Sequence, residues 1–154
     1  MNFTQGEIIY INKPYRMSSF GALAFVRTRI SKKIGVRRVK IGHAGTLDPL
    51  ATGVLLLCTG KATKKIEELQ KHTKEYEAEI MLGATTPSYD MEHPVNATYP
   101  YKHITREMVE GVLKQFIGDI TQIPPLFSAC KVEGKRAYDL ARKGSDMQLE
   151  PKNI

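Results

Sequence analysis

The amino-acid sequence predicts a mixed α/β domain built on a central sheet with flanking helices, and three observations carry that expectation. Short aliphatic or β-branched runs bounded by turn residues recur at 7–12, 39–41 and 54–58, as buried strands require. Two stretches, following Ser18 and following Thr105, instead place apolar residues at helical intervals. Residues 75–82 alternate apolar and polar with period two. A chain of 154 residues reads as one domain, residues 1–154, with a single core burying roughly 70% of the unfolded surface.

Taken in order, Ile8-Ile9-Tyr10-Ile11 forms a first strand, and Lys13-Pro14 ends it because proline has no N–H to give a ladder. Ser18 or Ser19 caps a helix in which Phe20, Leu23, Ala24, Arg27 and Ile30 recur at helical spacing, with Gly35 as the stop. Its apolar side should face the core and its cations solvent. Val39-Lys40-Ile41 and Val54-Leu55-Leu56-Leu57-Cys58 read as two further strands. Residues 63–71, with Ile66 and Leu69 apolar and Lys64 among the polar positions, read as a short amphipathic helix. In 75–82 one strand face carries Tyr76, Ala78, Ile80 and Leu82. A polar, proline-bearing loop spans 88–103. Thr105 then caps a packing helix with Met108, Val109, Val112, Leu113 and Phe116 on one stripe, closed by Gly118. Residues 145–154 are polar and without pattern.

Composition narrows the function classes. No apolar run approaches the roughly 18 residues of a membrane span, and no basic-then-apolar signal opens the chain. A cytoplasmic protein is expected. Cys58 and Cys130 are far apart, each within an apolar run, and read as buried thiols. His43, His72, His93 and His103 form no metal-ligand spacing with one another or with a cysteine, so no metal is expected. The formal charge is +7, and Arg27, Arg29, Lys32, Lys33, Arg37, Arg38 and Lys40 follow one another with no acidic residue between them. Such a patch suits a polyanion, whose phosphates supply affinity independent of sequence. Thr59-Gly60-Lys61-Ala62-Thr63 is not a phosphate-binding P-loop: Gly53 is seven residues before Gly60 where the motif needs five, and Ala62 has no hydroxyl for magnesium.

The chemistry is expected in Gly42-His43-Ala44-Gly45-Thr46-Leu47-Asp48-Pro49-Leu50-Ala51-Thr52-Gly53, a glycine-punctuated loop joining two strands. Pro49 biases Asp48 toward extended backbone, and the flanking glycines permit turns or close approaches, so the carboxylate is displayed rather than packed. This segment resembles, without a gap, the catalytic motif of the TruB-type tRNA pseudouridine synthases. Asn12-Lys13-Pro14 with Ser18-Ser19 resembles the family's first motif, although Arg16 replaces a usual glycine and Ser18 a usual threonine. Lys74-Glu75-Tyr76 with Leu82-Gly83, Thr86 and Asp90 resembles another, and residues 122–144 match a further long segment, implying an extended run, a turn at Gly134 and a short helix ending at Gly144.

The resemblance implies an α+β fold with a mixed, largely antiparallel sheet, and isomerisation of the uridine at position 55 in the T-arm of tRNA to pseudouridine. Asp48 would be the nucleophile; aspartate suits the role because its ordinary pKa of about 3.9 makes it an anion near neutral pH. His43 would contact RNA near the flipped nucleotide, and Tyr76 would stack on the target uracil, a contact worth on the order of 1–3 kcal/mol. Arg27, Lys64, Lys131, Arg136 and Arg142 are candidate RNA contacts. No cofactor and no obligate protein partner are implied. Family members continue with further strands, one carrying an arginine that pairs with the catalytic aspartate, and usually with a small RNA-binding domain, so the chain is expected to be an N-terminal piece. Two alternatives stay open: a non-catalytic RNA-binding fragment, and a guide-RNA-dependent relative of the dyskerin type.

Overall fold

A computed structural model describes residues 1–125 and 149–154, together with the backbone of 131–132 and 135–136. The chain forms two compact units, Met1–Glu77 and Ala78–Ile154, each described here by itself.

The first unit is built on a three-stranded antiparallel sheet. Strands β1 (Ile8–Lys13), β2 (Ile41–Ala44) and β3 (Gly53–Thr59) lie in the order β1-β3-β2. The central strand is the most apolar, and Leu57, Cys58 and Thr59 are fully buried. Ile9 pairs with Leu57 and Ile11 with Leu55, so these four side chains share a face. Helix α1 (Ser19–Lys33) covers that face with Ala22 and Leu23, flanked by Met17, Val26, Ile41 and Leu47. Complete burial of each leucine contributes on the order of 1.5–3 kcal/mol. On the opposite face, helix α2 (Ile66–Gln70) brings Ile66 Cδ1 to within 2.6 Å of where a Cβ on Gly42 would stand, whereas Tyr10 and Val54 remain exposed.

The apolar stripe of α1 is turned one residue from the expected set. Ser19, Ala22, Leu23 and Ile30 are buried with Val26 partly so, while Phe20 is exposed and Arg27 lies on the flank of the stripe. The two serines explain the rotation. Ser18 is the N-cap, its hydroxyl accepting from the Gly21 N–H at 3.0 Å, and Ser19 points inward to bond the Leu47 backbone. The second strand is displaced as well: it begins at Ile41 rather than Val39, because pairing with β3 runs from Ile41–Thr59 to Ala44–Leu56. Gly42, His43 and Ala44 therefore belong to the strand, not the loop.

Gly60 opens a 3₁₀ turn, Gly60–Lys65, that precedes α2. Its N–H donates to Lys40 O at 2.9 Å and the next, of Lys61, to Gln5 O at 3.0 Å, so the chain is held on both sides. With φ of +49° and a would-be Cβ 2.3 Å from Thr4 O, only glycine fits without moving backbone.

The second unit contains short antiparallel ribbons and one helix. Strand β4 (Ala84–Thr85) pairs with β5 (Ala97–Thr98), β6 (Thr121–Gln122) with β9 (Lys152–Asn153), and β7 (Lys131–Val132) with β8 (Lys135–Arg136). Helix α3 (Arg106–Leu113) is capped by Thr105, as expected, and runs into a 3₁₀ turn at Lys114–Phe116 with Gly118 at φ +87°. Its stripe of Met108, Val112, Leu113 and Phe116 is exposed.

Two expectations are corrected. Residues 75–82 form no strand: alternation is necessary for a half-buried strand, but a strand also needs a ladder partner, and none pairs with this segment among the described residues. The polar end is not patternless, since Ile120 and Ile154 exchange backbone hydrogen bonds at 3.0 and 2.9 Å and extend the β6–β9 pair. The mixed α/β class with antiparallel sheets stands. The turn expected at Gly134, the helix ending at Gly144, and Cys130 lie outside the described residues.

Gly60→Ala is expected to destabilise the protein by about 2 kcal/mol or more, through combined strain at positive φ and collision with backbone, as a lowered urea midpoint at unchanged slope.

Candidate active site

Residues 45–52 link β2 to β3, and side chains from β1, its following turn and the start of α1 hold the linker at several points. Ser19 Oγ accepts from the Leu47 N–H and its hydroxyl lies 2.9 Å from Leu47 O, also 2.9 Å for the first bond. Lys13 Nζ donates to Met17 O at 2.6 Å, Pro14 O at 3.1 Å and, at 3.4 Å, to Pro49 O. Asn12 Oδ1 accepts from the Gly53 N–H at 3.2 Å. The Ala51 N–H donates to Asp48 O at 3.1 Å and closes a turn over Pro49 and Leu50. Leu47 packs toward the core while Asp48, next to it, is exposed. Anchoring Leu47 and Pro49 on either side leaves the Asp48 carboxylate held between them and open to solvent.

Lys13 is the unusual member of this set. It has no exposed surface, yet it continues the register of Ile9 and Ile11 on the core-facing side of β1. Burial pushes its ammonium below the ordinary lysine range, and attraction from Asp48 opposes that shift. Three carbonyls replace the water that the ammonium gives up. The Asp48 carboxylate itself makes no hydrogen bond or ion pair among the described residues.

His43 lies half-buried on β2 opposite Leu57, with Nδ1 bonded to Gly45 O. It is thus fixed to the backbone at the entry of the Asp48 loop. Tyr76 is 70% exposed on a segment without regular secondary structure and makes no hydrogen bond or ring contact to the loop among the described residues. Arg27 sits on α1 with its guanidinium 6.0 Å from the Phe20 ring centroid, and Lys64 is exposed in the 3₁₀ turn. Lys131 and Arg136 are backbone register partners in the β7–β8 ribbon; Arg142 lies outside the described residues. In the second unit Asp90, Glu92 and His93 bring donor atoms within 4.8 Å of one another. Asp90 Oδ1 already accepts from Ser88 Oγ and the Glu92 N–H, which makes it the organiser of that turn.

Asn12, Lys13 and Ser19, which hold the Asp48 loop, had no task in the sequence reading beyond ending a strand and starting a helix. The readable signal was Lys13: period-two alternation through Ile9 and Ile11 puts it on the inward face, where a cation needs partners.

Residues 31–154 match the TruB family pseudouridylate synthases (N terminal domain). The chain belongs to the TruB family. It is 62% identical over 154 residues to the tRNA pseudouridine synthase B of Phocaeicola vulgatus, covering 100% of this chain and 66% of that protein. The enzyme of the same name from Bacteroides fragilis is 62% identical over 152 residues, covering 99% and 65%, and that from Flavobacterium johnsoniae 48% over 149 residues, covering 96% and 65%. The chain therefore spans about two thirds of the length of these TruB relatives. No helix among the described residues is long and apolar enough to cross a membrane.

Ser19→Ala is expected to cost about 1–2 kcal/mol, because the Leu47 N–H loses its acceptor, and to speed hydrogen exchange at Leu47 more than at β3. For Lys13 the folded-state pKa is depressed, so the unfolded chain binds the proton more tightly. Its contribution to stability must then rise with pH through the interval that ends at about 10.4, the ordinary lysine value. Urea titrations across alkaline pH should show this rise in the parent and not in Lys13→Met.

Proposed function

We propose that the chain is the N-terminal part of a pseudouridine synthase catalytic domain that isomerises uridine 55 in the T-arm of tRNA, with Asp48 as nucleophile. The observation that carries the reading is the Asp48 loop, whose residues Leu47 and Pro49 are anchored by Ser19 and Lys13 while the exposed carboxylate makes no hydrogen bond or ion pair among the described residues. Such an anion can attack an electrophilic carbon of the nucleotide without a general base, as the exchange of a C–N for a C–C glycosidic bond requires. Anchoring matters because a nucleophile held near its attack geometry has already lost the freedom that a mobile loop would lose at reaction.

The target base is flipped out of its stack before it reaches a carboxylate, at a cost of a few kcal/mol. His43, at the mouth of the loop, contacts the RNA beside the vacated position, and Tyr76 supplies the face on which the uracil stacks. Arg27, Lys64, Lys131, Arg136 and Arg142 contribute phosphate contacts, which fix register without reading sequence. The setting is the cytoplasm, without cofactor or obligate protein partner. A second reading, RNA binding without turnover by this chain, is favoured by one observation: among the described residues no guanidinium pairs with Asp48, whose charged neighbour is the buried Lys13.

Release of tritium from C5 of uridine in a T-arm stem-loop separates the two. The parent chain should release it and Asp48→Asn should fall to background while binding the RNA within about two-fold; full turnover by Asp48→Asn overturns the nucleophile. Binding without release by the parent selects the second reading.

A further inference from the structure

The cation run of the sequence is organised into a built recess at the far end of α1. A cavity of about 480 Å³ is lined by Arg27, Ser31, Lys32, Val36, Arg37 and Arg38, among others. Its floor is fixed by backbone. The Ile34 N–H closes the last helical bond on Ile30 O, Gly35 turns left-handed at φ +70°, and the Val36 N–H reaches back to Ser31 O at 3.0 Å, the long bond of a Schellman helix stop. The buried Ser31 hydroxyl then accepts from the Val39 N–H at 2.9 Å and draws the returning chain against the helix. Arg37 and Arg38 are thereby held on a short, doubly tethered turn facing Arg27 and Lys32.

Helix electrostatics account for only part of this. Lys32 and Lys33 lie in the last turn, where cations complement exposed carbonyls. Arg37 and Arg38 lie beyond the helix, and Arg27 precedes its last turn. None of the four pocket cations forms an ion pair among the described residues, and no acidic residue occurs from Pro14 to Leu47. Cations gathered with no carboxylate between them repel one another, so the arrangement costs stability unless an anion fills it. Arginine forks match phosphate oxygens in pairs.

The geometry points to a phosphate-binding pocket, formed by Arg27, Lys32, Arg37 and Arg38, that grips the backbone of the RNA substrate away from the reacting base. This rests on the proposed tRNA reading and adds a site to it. Ser19, which anchors the Asp48 loop, and Ser31, which shapes the pocket, are twelve residues apart on one helix, hence ~18 Å along its axis. The pocket therefore engages a phosphate several nucleotides from the flipped uridine, in the flanking stem.

The test measures binding of a T-arm stem-loop across a salt series for the parent chain, Arg37→Ala/Arg38→Ala, and the charge-matched Lys102→Ala/Lys114→Ala. Both pairs are exposed, and thermal melts check that all three proteins fold alike. Expected for the arginine pair is a loss of about ten-fold or more near 0.1 M salt, with the slope of log K against log salt falling by about 1–2 as phosphate contacts disappear. The lysine pair should keep the parental slope. Equal losses in both variants overturn the pocket in favour of a diffuse charge effect, and an unchanged arginine variant overturns it while leaving the tRNA reading intact. No RNA binding by the parent overturns both. Inorganic pyrophosphate is titrated in parallel: saturable binding lost in the arginine variant, with RNA affinity unaltered, would reassign the pocket to a free anion and overturn the RNA assignment.

Discussion

A buried ammonium is the interaction on which the arrangement of this site depends. Lys13 ends β1 on the core-facing register and has no access to water, so its charge is tolerable only because Pro14, Met17 and Pro49 turn carbonyls toward it. Two of those carbonyls belong to the turn after β1 and the third to the Asp48 loop. The lysine therefore cannot be satisfied unless both segments adopt their native paths together. Solvation of one charge becomes a condition on the geometry of a loop 36 residues away in sequence. Asp48 attracts the same ammonium, which partly offsets its desolvation.

The sheet makes this possible through its order. With β3 between β1 and β2, the strand that follows the loop lies against both the strand that precedes it and the strand that carries Lys13. Asn12 and Gly53 sit at one end of that pairing and are joined by a side-chain bond, so the exit of the loop is tied to β1 just as its interior is. Helix α1 contributes the remaining anchor from its first residue. Ser18 takes the capping task and Ser19 the two bonds to Leu47, so the two serines divide the helix start and the loop between them.

These dependencies also decide what could be read in advance. Strands at 8–13 and 53–59 and the caps at Ser18 and Thr105 were legible, because apolar runs and capping chemistry are local. The exposed loop position of Asp48 was legible for the same reason: Pro49 and the glycines act on their own neighbours. The rotation of α1 was not, since Ser19 is drawn inward by a partner 28 residues away and carries the helix round with it. Residues 75–82 failed in the opposite direction, their alternation being local and their strand character depending on a partner. Nothing near Gly60 in the sequence explains that glycine, because its requirement comes from Thr4, remote in sequence and close in space.

The placement of charge resolves a conflict inherent in the chemistry. On the proposed reading an anionic carboxylate meets a polyanion, and phosphate repels a carboxylate that has no cation between them. Here the cation nearest Asp48 is buried and already committed to three carbonyls. The free cations gather at the other end of α1, ~18 Å along the axis. That separation exceeds the screening length of about 8–10 Å at physiological salt, so the distant charges interact little with the carboxylate. On the proposed reading, capture and reaction thus fall at opposite ends of one helix. Its rigidity keeps them at fixed spacing, and its first residue and its last turn are each tied to the loop they serve.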